Sequence, residues 1–196
     1  DESGSIGDAI IAMNYVANRG AKIINMSWGV GPCIEIPNLQ SAMRQLSDAG
    51  ILLVTAAGNG DRFGVGINVD ISPTYPSAYN MLNQINVAAS TFDDYIIGFS
   101  NYGVRTVHVA APGVNIYSTI PGNRVESMSG TSMAAPMVSG AAALLWSAIP
   151  SASAGQIKQA IAKGVSLIPG RPFDVSSRGR LNVNNAYIEL KKLTGH

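Results

Sequence analysis

Ala21-Lys22-Ile23-Ile24-Asn25-Met26-Ser27, then residues 38–49, then Ile51-Leu52-Leu53-Val54-Thr55-Ala56: these three segments decide the fold. The first and last are short β-prone runs without strict polar alternation, so both are expected as buried strands. Between them Leu39, Met43 and Leu46 recur at helical spacing and Gly50 closes the pattern, which predicts an amphipathic helix. Upstream, residues 5–18 have the same character. Ile6, Ile10, Met13 and Ala17 form a stripe, Ser5 with Asp8 resembles a capping box, and Gly20 suits the position after the helix end. A helix–strand–helix–strand rhythm requires right-handed crossovers. The expected fold class is therefore α/β: a parallel sheet with helices on both faces.

Further strands are expected at 85–89, 106–110 and 115–120. Helices are expected over the apolar run 133–149, over 153–163, where Ser153 and Gln156 form a capping-box pair, and over 182–193. Residues 58–80 are polar, rich in Gly and Pro, and have no helical period. A loop of that length is usually functional. No repeat or linker divides the 196 residues, a length suited to one domain with a core of its own.

Composition narrows the function. Hydrophobic residues make up 46% and charged residues 13%, which places the chain among compact globular proteins. The formal net charge is +1 and no basic cluster occurs, which argues against a nucleic-acid partner. The run 133–149 is interrupted by Pro136, Ser139, Gly140 and Ser147, too short and too broken to span a bilayer, so no membrane partner is expected. Cys33 is the one cysteine, so an internal disulfide is impossible. The opening Asp1-Glu2-Ser3-Gly4 is neither a signal peptide nor an initiator methionine, and suggests a processed or excised piece.

Ser129-Gly130-Thr131-Ser132-Met133-Ala134-Ala135-Pro136 puts a hydroxyl at the start of the long apolar helix. Helix N-termini offer unpaired N–H groups and the positive end of the macrodipole, where a developing oxyanion is stabilised. Ser132 can thus be a nucleophile or simply an N-cap. Asn59 follows strand 51–56 at the carboxyl edge of the sheet, where open α/β folds bind ligands. Asn-Gly is also a common turn dipeptide. Ala56, Ala57 and Gly58 are small enough to form a wall that a substrate approaches closely. Ser27, Trp28 and Gly29 would offer an exposed edge to an extended peptide, with Trp28 either a core aromatic or a half-exposed one.

Four motifs in order resemble the subtilisin-like serine proteases over nearly the whole chain. They are Ile24-Asn25-Met26-Ser27-Trp28-Gly29, Val54-Thr55-Ala56-Ala57-Gly58-Asn59, Phe99-Ser100-Asn101-Tyr102-Gly103 with Ala110-Ala111-Pro112-Gly113-Val114, and Gly130 to Pro136 with Val138-Ser139-Gly140. The resemblance implies a serine endopeptidase with Ser132 as nucleophile and Asn59 as an oxyanion donor. It implies Ser27, Trp28, Gly29, Ala56, Ala57 and Gly58 as substrate-binding residues. It also implies peptide or protein substrates, a propeptide, an extracellular or secretory-lumen setting, and calcium in the complete enzyme though none in this chain.

The family's His and Asp motifs do not occur in residues 1–196. His108 falls on what is a structural strand in the family, and His196 is the last residue. The expectation is a partial catalytic domain over 1–196, inactive alone, with the base and its acid on an N-terminal segment. Met137 replaces a common His of the family motif, which predicts altered packing only. Thr106 and His108 lie near a weak cation site of some subtilisins, making that site doubtful. Asp61, Asn68 and Asp70 are oxygen-ligand types without a metal-loop signature, and no metal is assigned. Two alternatives remain: a peptide-binding module that does not cut, and an α/β-hydrolase-type esterase using Ser132, Asp174 and His196. Against the esterase, Ala134 replaces the second glycine of a nucleophile elbow.

Overall fold

The structure, a computed structural model, describes residues 4–31, 34–168 and 174–196. Cys33 and the first three residues lie outside the described residues. The elements are α1 (Ile6–Asn18), β1 (Ile23–Met26), α2 (Pro37–Asp48), β2 (Leu52–Ala56), a single 3-10 turn (Ser77–Tyr79), β3 (Gln84–Ser90), β4 (Val109–Pro112), β5 (Ile116–Ile120), β6 (Arg124–Met128), α3 (Thr131–Ala148), α4 (Ala154–Lys163), β7 (Ser166–Leu167), β8 (Gly179–Arg180) and α5 (Val183–Thr194).

Six strands form one sheet in the order β1-β2-β3-β4-β8-β7. β1 to β4 and β8 run parallel, with Ile24 opposite Leu53, Val54 opposite Ile85 and Ala88 opposite Ala110. The sheet is nevertheless mixed, because β7 pairs antiparallel with β8. A separate antiparallel hairpin joins β5 to β6, where only the first strand was expected. β7 and β8 span two residues each, too short for any period. β6 is exposed at every position and so lacks the apolar alternation that marks a strand. β4 begins three residues later than expected: residues 104–106 form a turn, closed by the Val107 N–H on the Gly103 carbonyl at 2.8 Å.

All five residues of β2 are buried, which explains the unbroken run. Successive side chains point to opposite faces. Leu52, Val54 and Ala56 join Ile85, Val87 and Ala89 against α3, whereas Leu53 joins Met13, Leu39, Met43 and Leu46 beneath α1 and α2. Helices therefore cover both faces. Ser5 caps α1 by accepting the Asp8 N–H, and Ser153 with Gln156 makes a complete capping box on α4. Two surfaces lack neighbours among the described residues. β1 pairs on one side only and exposes Asn25, and α3 leaves Leu144 60% and Met137 39% exposed. Among the described residues no helix is long and apolar enough to cross a membrane.

Candidate active site

Parallel strands end on one edge, so Ser27, Asn59 and Gly113 all leave the sheet on the same side. The β5–β6 hairpin then returns the chain to that edge. Gly130 N–H donates to the Gly113 carbonyl at 2.8 Å. A Cβ on Gly113 would lie 2.7 Å from both Gly130 O and Ala89 Cβ, so only glycine permits the approach. α3 starts at once, with Gly130 as N-cap and Ser132 as its second residue. Ser132 is thus inside the helix and does not cap it.

The first turn of α3 has four N–H groups without intrahelical acceptors. That of Gly130 is taken by Gly113 O, Thr131 N–H donates to Asn59 Oδ1 at 2.8 Å, and that of Met133 reaches Gly130 O. The N–H of Ser132 has no partner among the described residues. Thr131 Oγ1 also donates to Asn59 Oδ1 at 2.9 Å and accepts the Gly58 N–H at 3.1 Å. Both bonds hold Asn59 by its oxygen, which leaves Nδ2 as the donor end of the amide. The fully buried Thr131 is therefore a positioning residue that its place in the motif did not announce.

Ser132 Oγ donates to the Ser27 carbonyl at 3.0 Å, and Ser27 Oγ donates back to the Ser132 carbonyl at 2.8 Å. The chain of contacts continues along the open edge: Asn25 Nδ2 donates to Ser27 Oγ at 2.8 Å, and Ser139 Oγ to Asn25 Oδ1 at 3.0 Å. Asn25 carries no signal beyond its place in the strand motif.

A cleft of about 790 Å³ opens here, lined by Trp28, Gly29, Ala56, Gly58, Asn59 and Ser132, together with Thr74 and Asn101 from later loops. Two of the eight expected residues differ. Ser27 joins through its hydrogen bonds to Ser132. Ala57 is fully buried behind the wall, its carbonyl accepting from Thr74 Oγ1 and Asn101 Nδ2. Trp28 is half-buried: it packs on the α1–α2 core and also borders a second depression of about 550 Å³ lined by Ile6, Ala9 and Ala12. Just past the expected edge the chain is paired, since Val30 N–H donates to Tyr75 O at 2.8 Å.

His108 precedes β4, at the opposite end of the sheet from Ser132. Its Nδ1 accepts the Asn86 N–H at 2.9 Å. Burial, reinforced by the Lys158 ammonium, pushes its pKa down to about 3. It is neutral at neutral pH, with Nδ1 already engaged. His196 follows α5 and is exposed, and Asp174 is buried beside Val175, its carbonyl accepting the Gly103 N–H. The Ser132 hydroxyl goes to Ser27 rather than to either histidine.

The loop carboxylates serve the backbone. Asp61 Oδ1 accepts the Phe63 and Val65 N–H groups, Asn68 Oδ1 accepts that of Asp70, and the Asp70 carboxylate accepts those of Arg105 and Thr106. Among the described residues no three His, Cys, Asp or Glu side chains gather as a metal-binding group.

Known proteins resemble the chain in sequence and fold. The sequence pattern of the subtilase family matches residues 1–187. The thermostable alkaline protease of Halalkalibacterium halodurans is 41% identical over 159 residues, covering 81% of this chain and 40% of that protein. Thermitase of Thermoactinomyces vulgaris is 38% identical over 188 residues, covering 95% of this chain and 62% of thermitase. The chain thus spans less than two thirds of either relative. The structure of the prenylagaramide maturation protease PagA superposes with a TM-score of 0.79 at 29% identity, covering 97% of this chain and 70% of that one. The patellamide maturation protease PatA gives 0.79 at 29% identity, with 94% and 68% covered. The chain belongs to the subtilase family of serine proteases.

Proposed function

We propose that residues 1–196 are the nucleophile-bearing part of an endopeptidase that hydrolyses peptide bonds through an acyl-enzyme. The observation that carries this reading is the pair of donors at the start of α3. Thr131 holds Asn59 by its oxygen, so Asn59 Nδ2 and the unpartnered N–H of Ser132 are left as donors beside one hydroxyl. Two preorganised donors there would bind the oxyanion that forms when Ser132 Oγ attacks a carbonyl carbon. The helix dipole adds to the same stabilisation.

The attack also needs a base for the hydroxyl proton and an acid to orient that base. We assign both to polypeptide outside residues 1–196, as a His and an Asp N-terminal to this chain. The open edge of β1 and the exposed face of α3, at Met137 and Leu144, support the assignment, since a further strand and helix would cover them. An extended peptide would lie along Ser27, Trp28 and Gly29, with Ala56, Gly58 and Thr74 enclosing the side chain before the scissile bond. A propeptide and an extracellular or lumenal setting belong to the same reading.

A second reading, a module that holds peptides without cutting them, draws on the hydrogen bond from Ser132 Oγ to Ser27 O, which points the hydroxyl away from any base. The experiment that separates the two uses the full-length protein. Expected are fluorophosphonate labelling at Ser132 and cleavage of a peptide substrate, both lost in Ser132→Ala, with no turnover by the 196-residue chain alone. A full-length protein that binds peptide but neither labels nor cleaves would establish the second reading.

A further inference from the structure

Phe99-Ser100-Asn101-Tyr102-Gly103 runs beside the cleft, and its role is absorbed by none of the chemistry above. Ser100 ties the segment to the sheet: its Oγ accepts the Ala89 N–H of β3 at 2.9 Å and donates to the Asn101 carbonyl at 3.1 Å. Asn101 is then 1% exposed, with every polar group of its side chain engaged. Nδ2 donates to the Ala57 carbonyl at 3.0 Å. Oδ1 accepts the Gly60 N–H at 2.9 Å and the Ile67 N–H at 3.0 Å. The backbone N–H of Asn101 donates to the Gly58 carbonyl at 3.0 Å.

These four bonds grip the chain on both sides of Asn59: residues 57 and 58 before it, 60 after it, and 67 where the loop returns. The fit is close. Gly58 has φ +102, and a Cβ there would lie 2.4 Å from Asn101 Nδ2. Asn59 itself is exposed and sits at the start of a long loop, where a backbone would ordinarily move. A donor that must meet an oxyanion tolerates little displacement.

The clamp also needs one residue type. The side chain must donate once and accept twice at this reach. Aspartate would set a buried negative charge against the Ala57 carbonyl, and serine is too short to span the three partners. We infer that Asn101 is a positioning residue for the oxyanion donor, fixing the backbone on either side of Asn59 while Thr131 holds its side-chain oxygen. The inference rests on the reading of Asn59 as that donor.

The test is a double-mutant cycle on the full-length protein, with Asn101→Ala, Asn59→Ala and the pair. Asn101→Ala is expected to lower kcat by about 10–100-fold with KM changed less than about threefold, and to cost less than about threefold when Asn59 is already alanine. Equal losses in the two backgrounds would show that Asn101 acts on general stability, and would overturn the inference. Amide hydrogen exchange on the unmutated protein keeps the question open to refutation if the variants fail to fold. Gly60 and Ile67 should be protected to the level of β3, and exchange at free-loop rates would overturn the clamp. A wild-type protein that no fluorophosphonate labels at Ser132 would remove the peptidase reading and this inference with it. A labelled wild type with an additive cycle removes the role of Asn101 alone.

Discussion

At the carboxyl end of the sheet, Asn59 gives its oxygen to Thr131, and its amide nitrogen has no partner among the described residues. In the amino half of β3, Gln84 and Asn86 commit every amide atom to the protein. Gln84 Nε2 reaches Thr55 Oγ1, Asn86 Oδ1 and the carbonyls of Pro76 and Ser77, and its Oε1 accepts the Met81 N–H. Asn86 Nδ2 reaches the Ser77 and Thr106 carbonyls, and its Oδ1 also accepts Thr55 Oγ1. Gln84 and Asn86 are fully buried, whereas Asn59 is exposed. A closed polar network rigidifies a core, while an amide with one end held and one end open can receive a ligand. The difference separates a residue kept for stability from one available for chemistry.

That contrast predicts opposite costs. In the full-length protein, Asn59→Ala should lower kcat by about 10²–10³-fold with little change in KM, the scale known for the oxyanion asparagine of subtilisin. An unchanged kcat would return Asn59 to the role of a turn residue. Gln84→Ala should do the reverse. It strips the acceptor from the buried Met81 N–H, at roughly 1–3 kcal/mol for a buried group left unpaired, while the Pro76 and Ser77 carbonyls keep the Tyr79 N–H and Asn86 Nδ2. Its melting temperature should fall by several degrees while kcat per folded molecule stays within a few-fold. A stable Gln84→Ala variant with crippled turnover would erase the distinction between the two ends.

Much of this was legible in sequence where period and chemistry agree. The apolar runs of β1 and β2, the stripes of α1 and α2 and the caps at Ser5 and Ser153 each have a local cause, and each is found. β6, β7 and β8 were not legible, because one strand is wholly exposed and the others span two residues. At the site, Ser132 and Asn59 stood out through short motifs. Their supports did not: Thr131 and Asn101 act through hydrogen bonds across 72 and 41 residues of chain, and nothing local in sequence encodes such pairings. The helix start hid one further distinction. Ser132 would serve equally as a cap in sequence, and only the extended Gly130 before Thr131 makes the cap a glycine.

His108 extends the comparison to pH. Its ordinary pKa is 6.5, and in the folded chain it is pushed down to about 3. Below pH 6.5 the unfolded chain therefore binds a proton that the folded chain refuses. Stability present above pH 6.5 is lost progressively as pH falls toward 3. Protonation at Nδ1 would also break the bond from the Asn86 N–H, since that atom could no longer accept. His108→Gln, which does not titrate, should flatten the slope of unfolding free energy against pH across that window. Denaturant titrations at a series of pH values measure it. An unchanged slope would mean that other groups carry the acid sensitivity.

The smallest effect separates the two causes of that shift. Burial is the larger and the Lys158 ammonium the smaller. Lys158 donates from Nζ to the Leu82 carbonyl at 3.0 Å, and its own pKa is lowered by burial. Lys158→Met keeps most of the apolar stem and removes the charge. The remaining desolvation still disfavours imidazolium, so the His108 pKa should rise yet stay well below 6.5. Imidazole carbon shifts followed by NMR across an acid titration report it directly. The stability curve should move with it, its acid limb starting from the same pH but ending higher and therefore shallower in total loss. A His108 that titrates near 6.5 in Lys158→Met would make the ammonium the main cause. The amino end would then be an electrostatic arrangement rather than a dry one, and its contrast with the water-facing Asn59 would rest on charge instead of burial.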